Sequence, residues 1–109
     1  MPRQTDMIIE VTNYFARPGL AADVLSTRRK ASDIRHSLGL PRGNIFLREE
    51  GSGPDVRWEC VFPNRDEYDR DRQIRKTSKK FDENKEFMHS LLQRFERHVE
   101  VPDHELDRD

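Results

Sequence analysis

An α+β domain of β-α-β-β-α-β order, built on one antiparallel four-stranded sheet, is what this sequence predicts, and three observations carry the prediction. Residues 7–15 alternate like a strand and run into Arg17-Pro18-Gly19, after which apolar residues recur at helical spacing as far as Leu38. Two further alternating segments flank Gly51-Ser52-Gly53-Pro54. The chain then closes on helical pieces and a last alternating segment that stops at Pro102. A chain of 109 residues has room for one domain and one core.

The first strand places Met7, Ile9, Val11 and Phe15 on one face and Ile8, Glu10, Thr12 and Tyr14 on the other. Neither face is wholly polar, which predicts helices on one side of the sheet and a second sheet on the other. Pro18 suits the opening turn of a helix, and Leu20, Val24, Thr27, Ala31, Ile34 and Leu38 form one continuous stripe at spacings of four and three. Gly39 caps that helix and Pro41 prevents its continuation.

Segments 44–50 and 55–63 predict an antiparallel pair, since the glycines between them can take the positive φ that a hairpin needs. In the second of the pair, Val56, Trp58, Cys60 and Phe62 form an apolar face with Trp58 as a core anchor, while Arg57, Glu59 and Val61 point the other way. Asn64 caps a short helix over 65–76 containing Tyr68 and Ile74. A second helical piece is expected over 81–94, with Phe87, Met88, Leu91, Leu92 and Phe95 as its stripe, and a last strand over 95–101. This is the ferredoxin-like arrangement, which many unrelated functions use. The expected organisation is a disordered segment 1–6, a domain 7–101 and an acidic tail 102–109.

The 20 basic and 21 acidic residues nearly cancel, so no long-range field draws the chain to nucleic acid or to an anionic membrane. Residues 64–94 carry nine Lys/Arg against seven Asp/Glu, and 95–109 carry two against six; charges mixed in this way are expected to face water. Only 33% of residues are hydrophobic, a thin core that suggests burial against a second copy. No apolar run matches a secretory signal or approaches the roughly 20 residues that span a bilayer, so a soluble cytoplasmic protein is expected.

Reactive constellations are scarce. The third strand has no glycine and carries Glu59 in its middle, so it does not match an RNA-stacking motif. His36, His89, His98 and His104 are scattered, with no His-Glu-x-x-His or Cys-x-x-Cys spacing, so no metal site is expected. The single cysteine, Cys60, excludes an intramolecular disulfide, and between Trp58 and Phe62 it is a packing residue whose thiol pKa is raised by burial. Gly-x-Ser-x-Gly and phosphate-cradling loops are missing as well.

Ile9-Glu10-Val11-Thr12-Asn13-Tyr14 followed by Arg17-Pro18-Gly19 resembles the first strand and corner of NIPSNAP-type domains, whose pattern is Tyr-Glu-Leu-Arg-x-Tyr-x-x-Lys-Pro-Gly. Glu10, Tyr14, Pro18 and Gly19 are in register, Arg17 stands for the lysine, and Thr12 replaces the arginine. More broadly, 7–101 resembles the dimeric α+β barrel superfamily, which includes antibiotic-biosynthesis-monooxygenase-like and haem-degrading members. The resemblance implies a homodimer of facing sheets, helices outside, and a small apolar pocket between sheet and helices.

Haem-degrading relatives use an asparagine on the first strand, a tryptophan on the third and a histidine in the next helix. Asn13 and Trp58 fall on comparable elements, but 64–76 has no histidine and Tyr68 is the nearest comparable side chain, so no haem or other cofactor is expected. In cofactor-free monooxygenases the pocket positions an aromatic substrate and stabilises a developing anion. Asn13, Tyr14, His36, Arg48, Trp58, Tyr68 and His89 are the candidates for such a pocket. All but Tyr14 also have a plainer reading: local hydrogen bonds for Asn13 and Tyr68, core for Trp58, helix surface for the histidines, a rim cation for Arg48. The sequence thus points to a NIPSNAP-like homodimeric domain binding a small apolar or aromatic ligand, or alternatively to a cofactor-independent monooxygenase or small lyase or isomerase.

Overall fold

The computed structural model describes residues 6–103. Seven elements follow in order: β1 (Ile8–Ala16), α1 (Ala21–Ser37), β2 (Asn44–Leu47), β3 (Val56–Phe62), α2 (Arg65–Lys76), α3 (Lys79–Ser90) and β4 (Leu92–Glu100). The strands form one sheet in the order β2-β3-β1-β4, every neighbouring pair antiparallel. The fold is the expected α+β, ferredoxin-like one. Of the expected terminal segments, residues 1–5 and 104–109 lie outside the described residues.

Local chemistry sets the element ends. Leu20 N–H bonds to the Arg17 carbonyl at 3.0 Å, with Pro18 second and Gly19, at φ 79°, third in the turn, so α1 begins at Ala21 rather than at the proline. At its far end Gly39 donates to His36 and Leu40 to Arg35, the reciprocal pair that closes a helix over a left-handed residue. Asn64 accepts from the Glu67 N–H at 2.9 Å, as the sequence predicts, and Ser78 caps α3 in the same way through the Phe81 N–H at 3.1 Å.

Register divides the residues between two faces. Ile8, Glu10, Thr12 and Tyr14 lie opposite Phe62, Cys60, Trp58 and Val56, and all eight are buried beneath the helices. Ile9, Val11, Asn13 and Phe15 share the opposite face with Phe46, Arg57, Glu59, Val61, Glu96 and His98. On this side charged residues alternate with apolar ones, and Val61 remains 45% exposed.

Three expectations need correction. The helical piece over 81–94 ends at Ser90, and Leu92 and Phe95 belong to β4 rather than to a helical stripe. The nine residues of β1 require a partner of equal length, and pairing from Ile9 with Glu100 to Ala16 with Leu92 overrides the helical spacing. The strand over 44–50 stops at Leu47, where its ladder with Val56 runs out. Finally, the charges of 64–94 do not all face water: Asp71 and Arg75 of α2 are buried against the sheet.

Candidate functional site

The helix-covered side of the sheet holds a layer of buried charge. Glu10, fully buried on β1, accepts from Arg75 Nη2 at 2.9 Å and Nη1 at 3.3 Å, and its other flank meets Arg97 Nε of β4 at 3.5 Å. Arg35 of α1, also fully buried, grips Asp71 in a two-pronged pair, Nη2 to Oδ2 at 2.6 Å and Nη1 to Oδ1 at 3.1 Å. Its Nε donates to the Pro41 carbonyl at 2.6 Å, so every nitrogen of Arg35 has a partner. Such pairs avoid the large penalty of burying a lone charge.

Arg28, two turns earlier on α1, breaks this pattern. It is 5% exposed, yet its partners are neutral: Nη1 donates to the Tyr14 hydroxyl at 3.0 Å and Nη2 makes a long contact of 3.5 Å with Ser32 Oγ. Its Nε has no hydrogen-bond partner among the described residues. The guanidinium carbon lies 4.5 Å from the Trp58 ring centroid, with Arg35 at 5.0 Å, so one indole is stacked against two cations. Burial lowers the Arg28 pKa, with Tyr14 and, more weakly, Glu10 opposing the shift and Arg35 adding to it.

Arg28 and Tyr14 line a cavity of about 40 Å³ between β1, β4, α1 and α3. Thr12, Ala31, Asn84 and Met88 wall its buried part, and Phe81, Lys85, His89, Phe95 and Arg97 stand at its outer part. His89 stacks on Phe95 with centroids 4.9 Å apart. Partial burial, then the charges of Lys85 and Arg97, lower its pKa, so at neutral pH the imidazole is uncharged and can accept a proton. Beside the mouth lies a hollow of about 210 Å³ that shares Phe81, Lys85 and Arg97 and adds Arg72, Arg75 and Lys76. A larger groove of about 770 Å³ between α1 and α3 is an open surface feature whose charged lining, including Lys30, Asp33, Lys80 and Glu83, stands in solvent. The small inner cavity is the chemically distinctive one, because there a charge has been taken out of water.

Of the residues singled out from sequence, the structure brings Tyr14 and His89 together in this cavity. Trp58 is in the core behind Arg28 and donates its indole N–H to the Arg42 carbonyl at 3.0 Å. Tyr68 packs edge-on against Phe62 under α2, 5.2 Å between centroids. Asn13 lies on the opposite sheet face, its Oδ1 buried with no partner among the described residues. His36 is exposed on α1, and Arg48 sits at the hairpin end against Asp55 and the Gly53 carbonyl. Sequence reasoning missed Arg28, Arg35, Glu10 and Asp71. The signal was there: Val24, Arg28, Ala31 and Arg35 recur at four, three and four, a second apolar-type stripe with arginines in it. Burial raises the Cys60 thiol pKa, as expected of a packing residue.

No group of three or more His, Cys, Asp or Glu among the described residues is arranged to hold a metal ion. No helix among them is long and apolar enough to cross a membrane.

One antiparallel sheet, a helical layer on one side and a small polar-ended cavity between them define the class of protein to which solved structures can be compared. The chain has the fold of NIPSNAP-type and antibiotic-biosynthesis-monooxygenase-like proteins. A NIPSNAP family protein from Agrobacterium tumefaciens superposes with a TM-score of 0.71 at 18% identity over 90% of this chain and 87% of its own. SnoaB, a cofactor-independent oxygenase from Streptomyces nogalater, gives 0.67 at 16% identity over 89% and 93%. A dimeric protein of unknown function with a ferredoxin-like fold from Bacteroides fragilis gives 0.67 at 10% identity over 89% and 97%. At these identities the likeness is one of fold. No protein-family model and no curated sequence matches the chain. The likeness of fold covers about nine-tenths of the chain.

Proposed function

We propose that this chain is a homodimeric small-molecule-binding domain of NIPSNAP type whose ligand site is the cavity around Tyr14 and Arg28. The observation that carries the reading is that cavity, set between sheet and helices, open at its outer end and lined at its inner end by a desolvated cation. Interior packing ordinarily leaves few voids, so one beside a desolvated cation, large enough for a group of a few atoms, is a place where the polar end of a small molecule can be held. Dimerisation is supported by the open sheet face, where Ile9, Phe15, Phe46 and Val61 lie among charged neighbours, and by the Bacteroides fragilis protein being described as dimeric.

The test is methyl NMR on labelled Met88 during titration with aromatic and acyl compounds at millimolar concentration. Shifts at Met88 with at least one class support the reading; a panel that leaves it unmoved overturns it.

A second reading, a cofactor-independent monooxygenase or small lyase or isomerase, is favoured by one observation. Neutral His89 lies on the cavity that also holds Arg28, so a proton lost by a bound ligand has an acceptor and the resulting anion a counter-charge. The fold shared with SnoaB supports the oxygenase form. Oxygen uptake with quinol-type substrates that falls to background in His89→Ala would support it, and background uptake by the unmodified protein overturns it.

A further inference from the structure

The buried charges beneath the helices do not balance among themselves. Glu10 and Asp71 are the buried carboxylates, and Arg28, Arg35 and Arg75 the buried guanidiniums. Arg35 is fully engaged by Asp71, and Arg75 by Glu10 with Asp71 at 3.7 Å. The excess positive charge resides on Arg28, which hydrogen-bonds only to the Tyr14 and Ser32 hydroxyls, has an idle Nε, and meets a carboxylate only through the longer-range attraction of Glu10. A lone buried cation destabilises a fold severely unless an anion joins it.

Access to that cation has the sign that an anion needs. The cavity opens beside Lys85 and Arg97, the latter 3.5 Å from Glu10, and the adjoining hollow adds Arg72 and Lys76 beside Asp82, with Arg75 there already paired to Glu10. The electropositive rim concentrates anions at the mouth. Size then limits what enters. About 40 Å³ accepts a group of a few atoms, while the outer residues Phe81, His89 and Phe95 are partly exposed and offer a ring or short chain an apolar resting place.

We infer that the ligand is a small organic carboxylate on an aromatic or short aliphatic body, its carboxylate held by Arg28 and the Tyr14 hydroxyl. Arg28 is then the residue that selects anions over neutral isosteres. This rests on the cavity being the ligand site. It goes beyond that reading by fixing the charge and the polar group of the ligand.

The experiment pairs benzoate with benzamide, the same shape without the charge, titrated into the full chain by calorimetry while Met88 methyl shifts locate the binding. The expected result is benzoate binding at least about tenfold more tightly, since charge-assisted hydrogen bonds are about twice as strong as neutral ones. In Arg28→Gln the two compounds should bind alike. If benzamide binds the wild-type cavity as well as benzoate, the anion inference fails while the site reading stands. If neither compound moves Met88, the carboxylate inference fails, and the site reading falls only if the whole aromatic and acyl panel leaves Met88 unmoved as well. Should Arg28→Gln fold poorly, Tyr14→Phe is read instead: it keeps the cation and removes one donor, so the benzoate preference should shrink without vanishing, and an undiminished preference removes Tyr14 from the assignment.

Discussion

Arg28 Nη1 donates to the Tyr14 hydroxyl across 3.0 Å, a contact between α1 and β1 in which a buried cation is met by a neutral oxygen rather than by a carboxylate. Tyr14→Phe removes the acceptor and leaves a second idle donor on an already under-partnered guanidinium. The expected cost is about 1–3 kcal/mol of stability, read as a lower urea midpoint with an unchanged slope. An unchanged midpoint would show that the hydroxyl does not support Arg28.

Asp71 is the only carboxylate partner of Arg35 among the described residues, and both are buried. Asp71→Asn strands the Arg35 charge and weakens the contact to Arg75 Nε at 3.7 Å. Breaking one side of a buried pair costs about 3–5 kcal/mol. The double change Arg35→Met, Asp71→Leu should cost less than Asp71→Asn alone, because it removes both charges together; equilibrium denaturation of the three proteins decides this.

Gly43 has φ 74°, and a Cβ there would stand 2.2 Å from Trp58 Nε1. Gly43→Ala must therefore push the indole off the Arg42 carbonyl and out of its stack with Arg28 and Arg35. Overpacking of this kind costs about 1–3 kcal/mol, and the strained φ adds to it. A shifted Trp58 emission maximum together with a lower unfolding midpoint is the expected signature; wild-type emission in the variant contradicts it.

Because burial disfavours the His89 imidazolium, its folded pKa lies below the ordinary value of about 6.5. Between the folded pKa and about 6.5 the unfolded chain binds more protons than the folded one, so the His89 contribution makes stability rise with pH there. Above about 6.5 it contributes no slope. His89→Gln should flatten that acidic limb, and an NMR titration of the ring should give a midpoint below that of a free imidazole. A midpoint at or above it refutes the assignment.

Val61 lies on the sheet face away from the helices, 45% exposed, opposite Ile9. If two such faces meet, Val61→Asp places a charge in the contact and should halve the mass seen by light scattering, from twice 13.0 kDa to 13.0 kDa, with the circular dichroism unchanged. A wild-type monomer at micromolar concentration removes the dimer.

Much of the framework was legible because it depends on neighbours in the chain. Alternation assigned the two faces of β1 and β3, Asn64 signalled the start of α2, and Gly39 the end of α1. The end of α3 was not legible, since Leu91, Leu92 and Phe95 satisfy a helical stripe as well as a strand, and only the waiting edge of β1 chose between them.

The site shows the same division more sharply. Local spacing is enough for the order of elements, the placement of Tyr14 on the helix-covered face and the burial of Trp58 and Cys60. It could not show that Arg35 meets Asp71 36 residues away or that Arg75 meets Glu10 65 residues away, because charged side chains at helical spacing read as solvent-facing until an opposing carboxylate is placed beside them. Tertiary structure alone decided that two arginines of α1 are buried, that one has its carboxylate, and that Arg28 is left beside Tyr14 with its charge still to be matched.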